Sequence, residues 1–268
     1  MNEPGVSEAR AAYLMRRRRR ARNIRIVQVG ILAGFLAVWE IAARTGLVDD
    51  FIVSSPSRIC STLSGMIADG LAYHVGVTLF ETLAGFSLGA GIGLAVAAAL
   101  WWSDFASRVA QPYLVVLNSL PKIALGPVII ILAGAGTRAI VFMALAISLI
   151  VTVLEMLAGF RATDPGSIVM ARTFGATKRQ VFFKIVLPSN LATLFGSLKI
   201  NIGLSLVGVI AGEFLVSKAG LGYLIVYGGQ VFRMDLVMTG VILLSVMAAG
   251  MYQAVSALER FAARRFGG

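Results

Sequence analysis

Six ionisable side chains stand inside long apolar runs of this sequence: Glu40, Glu81, Lys122, Glu155, Lys199 and Glu213. A charge in hydrocarbon is costly, so each such group must be paired, drawn out to a headgroup, or placed where a transported ligand meets it. Glu40 and Glu155 lie near the ends of their runs and Glu81 early in its own. Lys122 and Lys199 lie deeper, and Glu213 comes at the outer end of its run. For the two lysines, a Lys–Glu pair across helices and contact with a ligand both remain open. The rest of the chemical inventory is sparse. No Gly-Lys dipeptide occurs, which excludes a phosphate-binding P-loop. A single histidine, His74, leaves no His-based metal cluster and no H-E-x-x-H, and a single cysteine, Cys60, leaves no C-x-x-C and no internal disulfide. No acid–base pair in a shared pocket suggests itself, so the chain reads as non-catalytic and without a cofactor of its own.

One polar, basic stretch, Arg161 to Pro188, interrupts the apolar runs of the second half. Asp164-Pro165 has the form of a helix start, an acidic N-cap followed by proline in the first turn. The helix is expected to continue through Phe174 and to stop at Gly175, which tolerates the left-handed conformation of a C-terminal cap. Ile168, Ala171 and Phe174 form its apolar face, while Arg172, Lys178 and Arg179 keep the loop on the cytoplasmic side.

The elements that must position these groups follow from hydropathy. The chain is 58% hydrophobic and 14% charged, with mean hydropathy +0.85; soluble domains are typically about one quarter charged. Helices are expected, because the runs are continuously apolar rather than alternating as in a membrane barrel. The spans fall at about 26–43, 74–102, 111–133, 139–159, 188–216 and 236–258. Pro121, Gly126 and Pro127 break the third. Gly85, Gly89 and Gly93 share one face of the second, where close helix packing is the favoured reading over a gating role. Ser54, Ser55 and Pro56 open an amphipathic outer helix with Ile59, Leu63, Met66 and Ile67 on one face, and Trp101 and Trp102 anchor an interfacial turn. Between the last two spans, Lys218 to Asp235 is an outer loop with a glycine-rich apolar middle that can dip into the interface.

The net charge of +11 belongs to topology. Six spans with both ends inside place seventeen basic residues on the cytoplasmic side and five outside. Basic residues are not interleaved with aromatics, so nucleic acid is excluded as a partner and membrane lipid takes its place. The organisation expected is a basic cytoplasmic tail over 1–25, frayed to about Arg20, a membrane domain over 26–260 holding the loop 161–188, and a short cytoplasmic tail over 261–268.

The loop carries a family pattern. Ala171, Gly175, Ile185 and Leu187-Pro188 keep the spacing of the signature of permease subunits of ATP-binding-cassette importers, with Val169 and Met170 where Glu and Ala are usual. The stretches SSPSRI, TLFETLAGF, SLPKIALGPVIIILAGAGTRA, AGEFLVSKAGLGYLI and ALERF resemble the nitrate/sulfonate/taurine branch, in which Glu81 stands in place of a common Arg. The resemblance implies an all-α bundle of six transmembrane helices with a cytoplasmic coupling helix between spans 4 and 5. It implies a second permease copy, most simply a homodimer, a cytoplasmic ATPase dimer that binds the ATP and Mg, and an extracytoplasmic binding protein that delivers a small solute such as a sulfonate-, taurine- or nitrate-like anion. Asp164, Ile168, Ala171, Arg172, Phe174, Gly175, Ile185, Leu187 and Pro188 would serve the ATPase contact. Pro121, Lys122, Lys199 and Glu213 are the candidates for the translocation path. The competing reading is an ATPase-independent channel or secondary carrier, which predicts internal repeats or an acid chain at the membrane centre; neither is evident.

Overall fold

The computed structural model describes residues 8–47 and 53–266. The described residues form helices and connecting turns, with no strand among them. In chain order the principal helices are α1 (Glu8–Arg44), α2 (Pro56–Ala68), α3 (Leu71–Trp102), α4 (Asp104–Ser119), α5 (Gly126–Ala133), α6 (Thr137–Arg161), α7 (Pro165–Thr173), α8 (Lys178–Val181), α9 (Leu187–Ser189), α10 (Leu191–Val216), α11 (Leu221–Gln230) and α12 (Met234–Phe266). Five of them are long and apolar enough to span a bilayer, and six spans result if α4 and the segment ending in α5 count as one bent span. That pair is bent by 84°. The cause is local: Leu120, before Pro121, is extended, Pro121 brings no N–H, and Pro127 opens the next α-helix.

Helix α6 is the centre of the bundle, packed between α3 and α10. Its seam with α3 is built from two matched ladders. A Cβ on Gly85, Gly89 or Gly93 would run into Ala144, Ser148 or Thr152, so three glycines on one helix meet three small residues at the same four-residue spacing on the other. Gly208 and Gly212 of α10 lie equally close to the backbone at Ala144 and Ile140. Helices in lipid gain little from burying apolar surface, so backbone approach of this kind supplies the packing. The hydroxyls of Ser148 and Thr152 donate to carbonyls one turn earlier, and Asn201 donates to Thr152 Oγ1 at 2.8 Å, which pairs the hydroxyls that α6 buries in the seam.

Several sequence expectations need adjustment. The segment before Arg20 is helical from Glu8, continuous with the first span, which suits arginine's good helix propensity. In α2, Ile59 and Met66 are buried and Leu63 packs beside Met66, but Ile67 is 68% exposed, one residue beyond the packed stripe. The stretch from Lys218 to Asp235 is not an open loop; most of it is α11, held against α10 and α12. The fifth span begins at Leu191, after a π-helical turn at Phe182–Val186 and the short α9. Helix α1 stays outside the bundle. Its contacts are at its C-terminal end, where Trp39 Nε1 donates to the Ser54 carbonyl and Glu40 accepts from the Ser57 amide at the start of α2.

Candidate functional site

The loop 161–188 folds into a rigid bracket. Asp164 caps α7 by accepting from the amides of Gly166 and Ser167 and from the Ser167 hydroxyl at 2.7 Å. Those donors, the Ser167 hydroxyl first, hold its carboxyl below the usual aspartate range. At the other end Gly175 takes φ +80°, its amide donates to Arg172, and the Ala176 amide donates to Ala171. Both bonds of a Schellman cap are therefore made. Two residues later Thr177 and Gln180 form a reciprocal capping box that starts α8. Pro188, without an N–H, stands two residues after the π-helical turn, in the short α9.

The bracket is bolted to the bundle by an aromatic cluster. Phe182 is buried with its ring 5.0 Å from Trp101, 5.2 Å from Trp102 and 5.3 Å from Phe160. Lys178 Nζ donates to the Trp102 carbonyl at 2.6 Å and sits over the Trp101 ring. The tryptophans thus receive the loop as well as ending α3. Ile168, Ala171, Ala176 and Leu187 pack on this cluster. Motion of α7 must pass to the C-terminal ends of α3 and α6, because the contacts between them are packed side chains rather than a slack chain.

The opposite side of α7 is free and apolar. Val169 is 62%, Met170 60% and Phe174 83% exposed. Phe174 therefore does not join Ile168 and Ala171 on the packed face; it sits at the C-cap and points outward. Arg172 and Pro188 are exposed too, and Ile185 is half-buried.

The four path candidates are dispersed. Pro121 and Lys122 stand at the break before α5, and Lys122 Nζ donates to the Asn118 carbonyl. The next residue, Ile123, lines an open apolar groove of about 640 Å³, with Pro127 on the same wall and Val207, Ile210 and Phe214 of α10 opposite. Lys199 pairs with Glu259 of α12 at 2.5 Å and lies over the Tyr252 ring. Glu213 is buried, accepting from Thr78 Oγ1 at 2.6 Å and from the Gly222 amide. Lys199 and Glu213 are thus engaged within the chain. Sequence reasoning missed Phe182, Thr78 and the groove between α5 and α10. The first had a signal in the Phe182-Phe183 pair within the loop, whereas the others depend on which helices become neighbours. The run Gly85-Phe86-Ser87-Leu88-Gly89 has the spacing of a nucleophile elbow, but it lies inside the unbroken helix α3 and lacks the strand-to-helix turn that exposes such a serine.

Comparisons with known proteins agree with this architecture. The family model for the binding-protein-dependent transport system inner membrane component matches residues 89–267. A Haemophilus influenzae protein named "Probable ABC transporter permease protein" is 28% identical over 241 residues, 89% of this chain and 98% of that one. The taurine transport system permease protein TauC of Escherichia coli is 24% identical, covering 87% of each chain. Among solved structures, an inward-facing MetNI methionine ABC transporter superposes with TM-score 0.63 at 21% identity, over 70% of this chain and 93% of that one, a likeness of fold.

Proposed function

This chain belongs to the family of binding-protein-dependent transport system inner membrane components, a multi-pass permease subunit of such an importer, and we propose that α7 is the point at which a separate ATPase drives it. The observation that carries this reading is the two-sidedness of α7. One side is locked into the Trp101–Phe160–Phe182 cluster, and the other leaves Val169, Met170 and Phe174 exposed among the described residues. A capped helix with an unburied apolar side at a cytoplasmic turn suits docking into a groove. ATP and Mg bind to that partner, and this subunit is itself non-catalytic. Asp164 and Gly175 hold the helix in shape; Arg172 and Phe174 touch the partner; Ile168, Ala171, Ile185, Leu187 and Pro188 join the helix to the bundle.

The pathway runs between two copies of the chain, each contributing the groove between α5 and α10, with Pro121 and Lys122 at its rim. Both termini face the cytoplasm, as the distribution of basic residues supports. An extracytoplasmic binding protein hands over a small anion of the sulfonate or taurine kind, a reading supported by the similarity to a taurine permease. The test is Gly175→Asp in cells carrying the whole transporter. The φ of +80° disfavours a side chain there. Uptake is expected to be lost with the subunit still present in the membrane at normal abundance. Undiminished uptake would remove α7 from the coupling route.

A further inference from the structure

Glu81 is 1% exposed, and neither of its carboxyl oxygens makes a hydrogen bond of good geometry. The groups within its reach are the carboxyl of Glu213 on α10 and the hydroxyl of Thr137 at the start of α6. Glu213 is equally buried but differently served. One of its oxygens accepts from Thr78 Oγ1 and the other from the Gly222 amide. Among the described residues no lysine or arginine acts on either carboxyl. Two neighbouring carboxylates away from water cannot both hold their charge without a cation or a proton to share. The oxygens of Glu213 have a donor each, while Glu81 has only the Thr137 hydroxyl within reach. The proton therefore belongs to the pair rather than to either carboxyl alone.

We propose that Glu81 and Glu213 form a proton-binding site, sharing a single proton that fastens α11 to the outer ends of α3 and α10. The fastening is visible in the turn that opens α11. The Gly220 amide donates to His74 Nδ1, the Leu221 amide to Thr78 Oγ1 and the Gly222 amide to Glu213. A Cβ on Gly220 or Gly222 would collide with the Glu213 side chain, so the backbone of this turn lies directly on Glu213. Removing the proton leaves two anions beneath the turn, and the turn is the element free to move away. The contribution of the pair is therefore present at low pH and lost as pH rises far enough to strip the shared proton. The other ionisable groups on the packed elements are His74 on α3, Arg138 beside Thr137 on α6, Lys218 in the connection after α10, and Tyr223, which stacks on His74. The Arg233–Asp235 pair lies beyond α11, at the start of α12.

The experiment compares the full-length wild-type chain and Glu81→Gln in lipid nanodiscs, following Tm from about pH 5 to about pH 9. The amide of glutamine can donate to Glu213 and does not titrate. The wild type is expected to lose about 3 °C or more as pH rises, and Glu81→Gln to lose clearly less over the same range. Parallel curves would overturn the proposal. Should Glu81→Gln fail to fold, infrared spectroscopy on the wild type decides. The carbonyl stretch of an un-ionised carboxylic acid, shifted in heavy water and bleached at high pH, is expected; its absence refutes the shared proton. A wild-type Tm that instead follows sodium against choline, with no such band, would assign the site to a metal cation and refute it as well.

Discussion

Truncating Phe174 to alanine separates docking from folding. The side chain is 83% exposed at the C-cap of α7, so it adds almost nothing to the core that its neighbours Ile168 and Ala171 help to build. Burying a phenylalanine fully is worth about 1.5–3 kcal/mol. If docking covers the part now exposed, the loss on truncation is about 1.2–2.5 kcal/mol, or roughly 8- to 70-fold in affinity. The cost to stability should stay within about 0.5 kcal/mol, as for a surface position away from special features. The assay holds the permease in nanodiscs and titrates it with the ATPase subunit that co-purifies with it, reading the dissociation constant and the Tm of the same preparation. Ile168→Ala is the counterpart: half-buried against the aromatic cluster, it should lower Tm. Affinity changing less than about twofold in folded Phe174→Ala, against the loss computed from burial, would refute the reasoning. A Tm loss that accounts for the weakened binding would do the same.

Two further tests address the bundle. On α3, Gly91 faces open space whereas a Cβ on Gly93 would lie 2.6 Å from Thr152 Cβ, whose hydroxyl is already committed to Ser148 and Asn201. Gly91→Ala should gain up to about 1 kcal/mol from helix propensity, while Gly93→Ala should cost about 1–3 kcal/mol from overpacking; thermal shifts of the same sign for both would contradict the seam. Lys199→Met should cost about 1 kcal/mol by stranding Glu259. Exchanging the charges with Lys199→Glu and Glu259→Lys together should restore stability and leave the KM for uptake unchanged, whereas a raised KM in the exchanged form would mean that Lys199 meets the solute.

Much of the bracket was legible from local chemistry, because caps are short-range. Asp164, Pro165 and Gly175 act through bonds spanning two to five residues, so their order along the chain was enough to place both ends of α7. The face of α7 was legible only in part. Phe174 is apolar and correctly spaced, yet it lies where the helix unwinds, and the rotation at the cap turns it away from the cluster.

Hydropathy and the distribution of arginine and lysine determined that the chain is a helical membrane bundle, since satisfying the backbone in lipid and holding positive charge on one side depend on composition and order alone. Tertiary structure decided which polar groups meet. Lys199 found Glu259 across 60 residues of chain, and Glu81 came to face Glu213 rather than a cation. Such pairs are set by which helix faces approach closely, and that is governed by the fit of Gly85, Gly89 and Gly93 against Ala144, Ser148 and Thr152. The glycine spacing on α3 was plain in the sequence, but the ladder it would meet was one of several small-residue faces, and only packing in three dimensions selects among them.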